Sequence, residues 1–270
     1  YVYRALLING IVYVYSLEKD AGDENKPLTL QPCFTHLFPT PIVDVAVSCD
    51  GSVLCVSTSQ STQLFPTQEV IQNQFHPIRS FSDMAMCSHL RINEVAFEQW
   101  LKRDVLVGVE NCTLRGYRNG AKQIGHTFDG PIADCALCGA TIVVLLKNGT
   151  ILRSKTAATF EPFSLPFLRN SLSIAGTQLC SSENAFLACF NCGDSLRIAI
   201  ATLANPASDD WQIEEISDAL RCDEPCTPTS HCSAQYLPAF DSFLLASSTS
   251  SSLSLVRLTA DGFELEDTTD

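Results

Sequence analysis

The stretch "GHTFDGPIADCALCGATIVVLLKNGTILRS", residues 125–154, contains a short apolar run, a second apolar run and a tight polar turn at Lys147-Asn148-Gly149. The turn predicts a β-hairpin, because Asn and Gly tolerate the positive φ angles that tight hairpins require. The alternation of residue types around the turn indicates strands that bury one face. The fold depends on whether this stretch is a single hairpin or one copy of a repeat.

The same plan recurs along the chain, at residues 41–67 and 91–118. Each of the three copies begins with an acidic residue, namely Asp44, Glu94 or Asp134, and a three-residue apolar core, followed by a turn, a strand, a tight turn and another strand. Weaker copies of the hairpin occupy residues 4–18, 185–203 and 242–258. Six units at a spacing of roughly 40 to 55 residues predict the four-stranded blades of a β-propeller.

The composition agrees with an all-β chain that buries a large core. Of the 270 residues, 46% are hydrophobic and 17% are charged, and the apolar residues fall in runs of about four to eight, which is typical of strands. No run approaches the roughly 18 apolar residues of a membrane span. We expect a single propeller domain over residues 1–270 and, because the first residue is Tyr1, a piece of a longer protein.

Charge and cysteine content restrict the partners and the compartment. The formal net charge of -13 disfavours direct nucleic-acid binding, because an acidic surface repels a phosphate backbone. Thirteen cysteines are scattered through the apolar runs, where a free cysteine behaves as a small buried hydrophobe. The sequence therefore favours a reducing compartment, nuclear or cytoplasmic, with mostly free thiols.

The repeats resemble the WD40 family. Asp50-Gly51 is similar to the turn between the first two strands of a WD40 blade, and Gly125-His126 stands ahead of a first strand as that family's Gly-His pair does. The Trp-Asp pair that names the family is absent, and Asn148 stands where the family's turn Asp is expected. The resemblance implies a divergent propeller of about six to seven blades in which His126 lacks the full hydrogen-bonded tetrad.

The first repeat unit enters with its hairpin and has no recognisable preceding strand, so this blade is predicted to be incomplete. An unpaired strand edge is a liability that proteins usually cover. The missing strand would come from "GFELED" near the C-terminus, from residues outside this chain, or from a partner subunit.

Three patterns suggest chemistry, and each has a structural explanation. Cysteine and histidine at a non-standard spacing form a weak zinc candidate, made up of Cys222, Cys226, His231 and Cys232. Cys135-x-x-Cys138 and Cys189-x-x-Cys192 resemble redox pairs but lack the helix N-terminus that activates such thiols. Asn111 and Asn148 begin glycosylation patterns, although both also lie where the repeat requires a turn.

The sequence favours a non-catalytic scaffold for protein–protein interaction within a multi-subunit assembly, with no cofactor expected. Exposed aromatic and basic residues are typical interface anchors, and the candidates here are Trp100, Lys102, Arg103, Phe75 and His76. Two alternatives stay open: an enzyme or ligand-binding propeller with a site in its central channel, and an extracellular receptor-type propeller. Inward carboxylates or histidines would favour the first, and disulfides or sugar the second.

Overall fold

The computed structural model contains β-strands, a one-turn α-helix and a 3-10 helix, Ser82–Met84. The residues it describes are 2–6, 10–18, 29–48, 51–93, 105–118, 122–139, 141–165, 174–203, 210–217, 225–237, 240–250, 253–259 and 262–267. Within these ranges, no helix has the length and apolar character that a membrane crossing needs.

The strands form six sheets, in each of which strands that follow one another in sequence are neighbours. The first sheet has three strands, β1 (Val2–Leu6), β2 (Ile11–Glu18) and β3 (Thr29–Leu37). The second has four, β4 (Ile42–Val47), β5 (Val53–Thr58), β6 (Thr62–Pro66) and β7 (Arg79–Phe81), with helix α1 (Thr67–Val70) after β6. The third has β8 (Ser88–Ile92), β9 (Val105–Glu110), β10 (Thr113–Arg118) and β11 (Lys122–Thr127).

The other three sheets repeat the four-stranded plan. The fourth has β12 (Ile132–Cys138), β13 (Thr141–Leu146), β14 (Ile151–Ser154) and β15 (Glu161–Phe163). The fifth has β16 (Ala175–Ser181), β17 (Ala185–Asn191), β18 (Leu196–Leu203) and β19 (Trp211–Glu215). The sixth has β20 (Cys232–Leu237), β21 (Ser242–Ser247), β22 (Leu253–Thr259) and β23 (Gly262–Asp267). The predicted all-β class of repeated blades is confirmed.

The chain divides into two compact units. Unit 1 comprises Tyr1–Glu110 and Leu114–Gly125, and unit 2 comprises Asn111–Thr113 and His126–Asp270. In unit 1, one apolar cluster surrounds Phe65, and another contains Met84 and Leu90. In unit 2, one cluster surrounds Phe186 and Phe190, and the other Phe243. Every residue of the second strands β5, β13 and β17 is buried, and so is every residue of the first strand β12.

The predicted turns are present where they can be described. Gly51 has a φ of 72° and its amide donates to the Ser48 carbonyl at 2.8 Å. Gly149 has a φ of 82° in the hairpin between β13 and β14, and Gly193 has a φ of 89° between β17 and β18. Asn111, with a φ of 55°, adopts the left-handed conformation between β9 and β10. Turn geometry thus accounts for both glycosylation patterns in this part of the chain.

Two expected placements differ from the structure. The strand that pairs with β9 is β8, through Ser88, Arg91 and Ile92, so the third sheet begins ahead of the predicted core at Glu94, which lies outside the described residues. The stretch "GFELED" is β23, which pairs with β22 as the fourth strand of its own sheet. The first sheet has three strands within the described residues, and its predicted completion by a further strand stays a prediction.

Candidate interaction surface

A half-buried carboxylate on a first strand links neighbouring sheets in unit 1. Asp44 follows a register irregularity in β4, and its Oδ1 accepts the amide of Val45 at 2.9 Å. Its Oδ2 accepts the amide of Leu90, on β8, at 2.8 Å. The two bonds fix the first strand of the third sheet against the first strand of the second.

The same device recurs inside unit 2. Asp134 follows the same irregularity in β12, accepts the Cys135 amide at 2.8 Å and accepts the Leu179 amide, on β16, at 2.9 Å. In the next sheet Gln178 occupies this position, and its side-chain amide both accepts from the Ala234 amide at 3.0 Å and donates to the Ala234 carbonyl at 3.2 Å. A buried amide without such a partner costs free energy, so these residues hold successive first strands in register.

A histidine that precedes each of the two aspartates by eight residues in the sequence packs against aromatic rings. In unit 1 the His36 ring stacks on Phe75, with ring centroids 3.8 Å apart and planes at 9°, and contacts Phe38 edge-on at 4.9 Å. In unit 2 the His126 ring lies 4.6 Å from Phe128 and 4.8 Å from Phe160. The amides of Phe38 and Phe128 each donate to a carbonyl in the preceding hairpin turn, that of Gly10 or Cys112.

These features belong to one repeated motif that the sequence analysis missed. Residues 36–44 read "HLFPTPIVD" and residues 126–134 read "HTFDGPIAD", which is His-x-Phe-x-x-Pro-Ile-x-Asp ninety residues apart. The signal was visible in the sequence, but only the copy with Gly125-His126 matched the family pattern. The rings that pack against the two motif histidines, Phe75 and Phe160, lie in loops outside the motif.

Exposed apolar side chains stand at the ends of the sheets in unit 1. Leu37, the last residue of β3, is 67% exposed, and Met86 is 53% exposed. The Met86 amide donates to the carbonyl of Thr58, the last residue of β5, which pairs with the first residue of β4. Leu37 and Met86 therefore lie at the same end of the first two sheets, and Val47 and Ile78 are exposed at the opposite end.

The loop that carries Met86 is held in place on both sides. Met86 has a φ of 62°, which is unfavourable for a side chain with a Cβ atom. The Tyr117 hydroxyl donates to the Asp83 carboxylate at 2.6 and 2.7 Å, and the Tyr117 ring packs on Phe81 at 4.4 Å. Burial, together with this hydrogen bond, raises the pKa of Tyr117 to about 12. The loop thus presents Met86 from a fixed backbone.

In unit 2, Phe240 is 63% exposed and lies just before β21, while Leu253 is exposed at the start of β22. The Tyr236 hydroxyl donates to the Asp241 carboxylate at 2.6 Å and fixes the turn next to Phe240.

Two of the five predicted interaction residues, Phe75 and His76, lie in the part of the chain that the structure describes. Phe75 is half-buried and contacts the rings of Phe34, Phe38 and Phe65 as well as His36. The neighbouring His76 is exposed. Trp100, Lys102 and Arg103 lie outside the described residues.

The zinc candidates do not converge in the part of the chain that is described. Cys226 and Cys232 pack in the apolar cluster around Phe243, whereas His231 is exposed, and Cys222 lies outside the described residues. Among the described residues, no group of three potential ligands is close enough to hold a metal ion.

The cysteine pairs are placed as packing residues. Cys135 and Cys138 lie on one strand and are both buried. Burial raises the pKa of Cys138 to about 12, with a smaller contribution from Glu183. A hydrogen bond with Cys232 and burial raise the pKa of Cys189. Buried thiols with raised pKa values are poor nucleophiles, and the eleven described cysteines form no disulfide with one another.

No family model matches the chain, and no curated protein matches it. Several solved structures resemble it. A functionally unknown protein from Desulfotomaculum acetoxidans is 12% identical with a TM-score of 0.59, over 99% of this chain and 78% of that one. The structure of U3-55K is 13% identical with a TM-score of 0.58, over 96% and 75%. Sqt1 from Saccharomyces cerevisiae is 10% identical with a TM-score of 0.55, over 96% and 67%.

At these identities the likeness concerns the fold. Together with the repeated four-stranded sheets, it supports the fold of β-propeller blades, and the WD40-like character stays a resemblance of the sequence repeats. The fold by itself does not define a function.

Proposed function

We propose that the chain is a non-catalytic protein–protein interaction scaffold, a propeller domain extending over residues 1–270 within a nuclear or cytoplasmic multi-subunit assembly. The observation that carries the proposal is the pair of exposed apolar side chains, Leu37 and Met86, at one end of the sheets of unit 1. Large apolar side chains on a rigid frame are typical of interface centres, because burying them against a partner stabilises the complex without reordering the backbone.

The fixed backbone around Met86 supports this assignment. The Tyr117–Asp83 hydrogen bond and the bond from the Met86 amide to Thr58 hold the loop on both sides of the exposed side chain. A residue in an unfavourable backbone conformation persists only when its surroundings impose it, and such residues concentrate at functional sites. Met suits this role because its flexible side chain adapts to a partner surface.

The other interaction candidates extend the same proposal. Trp100, Lys102 and Arg103 supply the aromatic and basic character of an interface anchor, and exposed His76 lies in the loop that carries Phe75. We propose that these residues belong to a partner-binding face, with no direct contact to nucleic acid.

The test compares two double variants of the full chain in native extract. Leu37→Asp with Met86→Asp changes one end of the sheets, and Val47→Asp with Ile78→Asp changes the other. We expect the first variant to lose at least about tenfold of the co-purifying subunits, because a charge at an interface centre is left buried without a partner. The second should retain them, and both should melt at the wild-type temperature. Equal recovery with the two variants, or no stoichiometric partner with the wild type, would overturn the proposal.

A further inference from the structure

A pair of thiols in the apolar cluster around Phe243 is the strongest unassigned feature of unit 2. Cys189, in β17, and Cys232, the first residue of β20, both belong to this cluster and are both buried. Their side chains are joined by a hydrogen bond. The two sulfur atoms therefore face each other across the junction between the fifth and sixth sheets.

The backbone brings the two strands together at this point. Cys189 is paired with Gln178 of β16, and the Gln178 side chain bonds both the amide and the carbonyl of Ala234 in β20. Cys232 and Ala234 are both buried, with exposed Ser233 between them, so they occupy one face of the strand. The contact between the two thiols is therefore part of the same junction that Gln178 holds.

Two other cysteines near this pair are less well placed for a bond with Cys189. Cys180 packs against the same cluster, but its register partner is Leu187, so it is a diagonal neighbour of Cys189, about 7 to 8 Å away. Cys192 follows Cys189 by three residues, which is about 10 Å of extended chain. A disulfide requires Cα atoms within about 7 Å of each other. Of the three cysteines, Cys232 therefore needs the least backbone movement.

We propose that Cys189 and Cys232 form an oxidation site, a dithiol that hydrogen peroxide closes into a disulfide between the fifth and sixth sheets. One thiol reacts with the peroxide to give a sulfenic acid and water, and the other thiol then attacks the sulfenic sulfur and releases a second water. The two protons and two electrons that the thiols lose convert the peroxide into two water molecules.

The surroundings of the pair determine the rate and the effect of this reaction. The thiolate is the reactive form of a cysteine, and a hydrogen bond with Cys232 and burial raise the pKa of Cys189, so the pair reacts slowly and needs sustained oxidant. Once formed, the disulfide restricts the unfolded chain and thereby stabilises the folded one. The bond locks this junction until a reductant opens it again.

The experiment treats the full, reduced chain with hydrogen peroxide for several hours, alkylates the remaining thiols after denaturation and maps cross-linked peptides by mass spectrometry without a reductant. We expect the main link to join Cys189 to Cys232. The melting temperature should rise by at least about 5 °C and return to its initial value on addition of a thiol reductant. Cys232→Ala should abolish both effects. Cys138→Ala is the matched control and should keep both, because the Cys138 thiol is also buried but donates to the Glu183 carbonyl.

Three results would overturn the proposal. A main link from Cys189 to Cys180, or to any other cysteine, would contradict the assigned pair. Recovery of Cys189 without a link, under conditions that oxidise exposed Cys33, would show that the pair does not close. A link that forms with no rise in the melting temperature would show that it does not lock the junction. None of these results depends on Leu37 or Met86, so the scaffold function is tested separately.

Discussion

The two copies of the His-x-Phe-x-x-Pro-Ile-x-Asp motif have the same backbone arrangement and different ring packing. Asp44 and Asp134 each bond their own following amide and one on the next first strand. His36 stacks on Phe75 within a group of five rings, whereas His126 has two ring neighbours, Phe128 and Phe160. The motif therefore determines the hydrogen bonds, and loop residues outside it determine the ring packing.

Removal of the aspartate carboxylates should give the largest difference in the free energy of unfolding between the two copies of the motif. Asp134 is 2% exposed, so Asp134→Ala leaves two buried amides without this acceptor and should lower the free energy of unfolding by about 3 kcal/mol. Asp44 is half-buried, and Asp44→Ala should cost only about 1 kcal/mol because water can replace part of the loss. Urea denaturation measures both. Asp129→Ala, at an exposed position, is the control, and a larger loss for Asp44 than for Asp134 would contradict the burial argument.

Truncation of Phe75 and of Phe160 to alanine should destabilise the protein by different amounts. Phe75 contacts four rings and Phe160 contacts two. Phe75→Ala should therefore cost about 2 kcal/mol and Phe160→Ala about 1 kcal/mol, because each lost aromatic contact adds to the lost burial. Thermal melting of the two variants gives the order, and equal losses would mean that the additional rings around Phe75 contribute nothing.

A substitution at Gly51 tests whether the turn between β4 and β5 requires glycine, independently of the two groups of aromatic rings. A Cβ atom at Gly51 would meet no described atom within 4 Å, so the strain of a side chain there comes from the φ of 72°. Gly51→Val should lower the stability by roughly 1 kcal/mol or more. Gly125→Val is the matched control, since Gly125 also has open space and its φ is outside the positive range. Equal melting temperatures for the two variants would show that the turn tolerates a side chain.

The smallest expected effect is the pH dependence of His36. Burial lowers its pKa from 6.5, so the unfolded chain binds the proton more tightly than the folded one. The stabilising contribution of neutral His36 is therefore complete above pH 6.5 and is lost as the pH falls through the lowered folded pKa. Unfolding of the wild type should become more favourable on acidification by more than that of His36→Gln. A difference between the two proteins that stays constant across this range would exclude the linkage.

The sequence predicted the repeated hairpins well, because turn chemistry and alternation are local. Gly51 and Gly149 needed only their sequence neighbours for a correct assignment. The predicted start of the third sheet lies too far along the chain. The reason is that its first strand carries His89 where the repeat pattern has an acidic residue, and Glu94 matched the pattern instead.

The junctions were harder to predict because their partners are distant in sequence. Asp44 and Leu90 are 46 residues apart, so no local sequence pattern contains both of them. The packing of Phe75 against His36 could not be predicted from a local pattern, because the two residues are far apart in the sequence. The role of Phe75 as an interface anchor stays a prediction.

The role of the motif in joining the sheets can be measured by amide hydrogen exchange at Leu179 in the wild type and in Asp134→Asn. The Asp134 carboxylate accepts this amide across two first strands. Exchange at Leu179 should therefore become at least about tenfold faster in the variant, which corresponds to about 1.4 kcal/mol, while exchange at Leu90 should be unchanged. Unchanged exchange at Leu179, or equal acceleration at both amides, would show that the motif does not build the junction described.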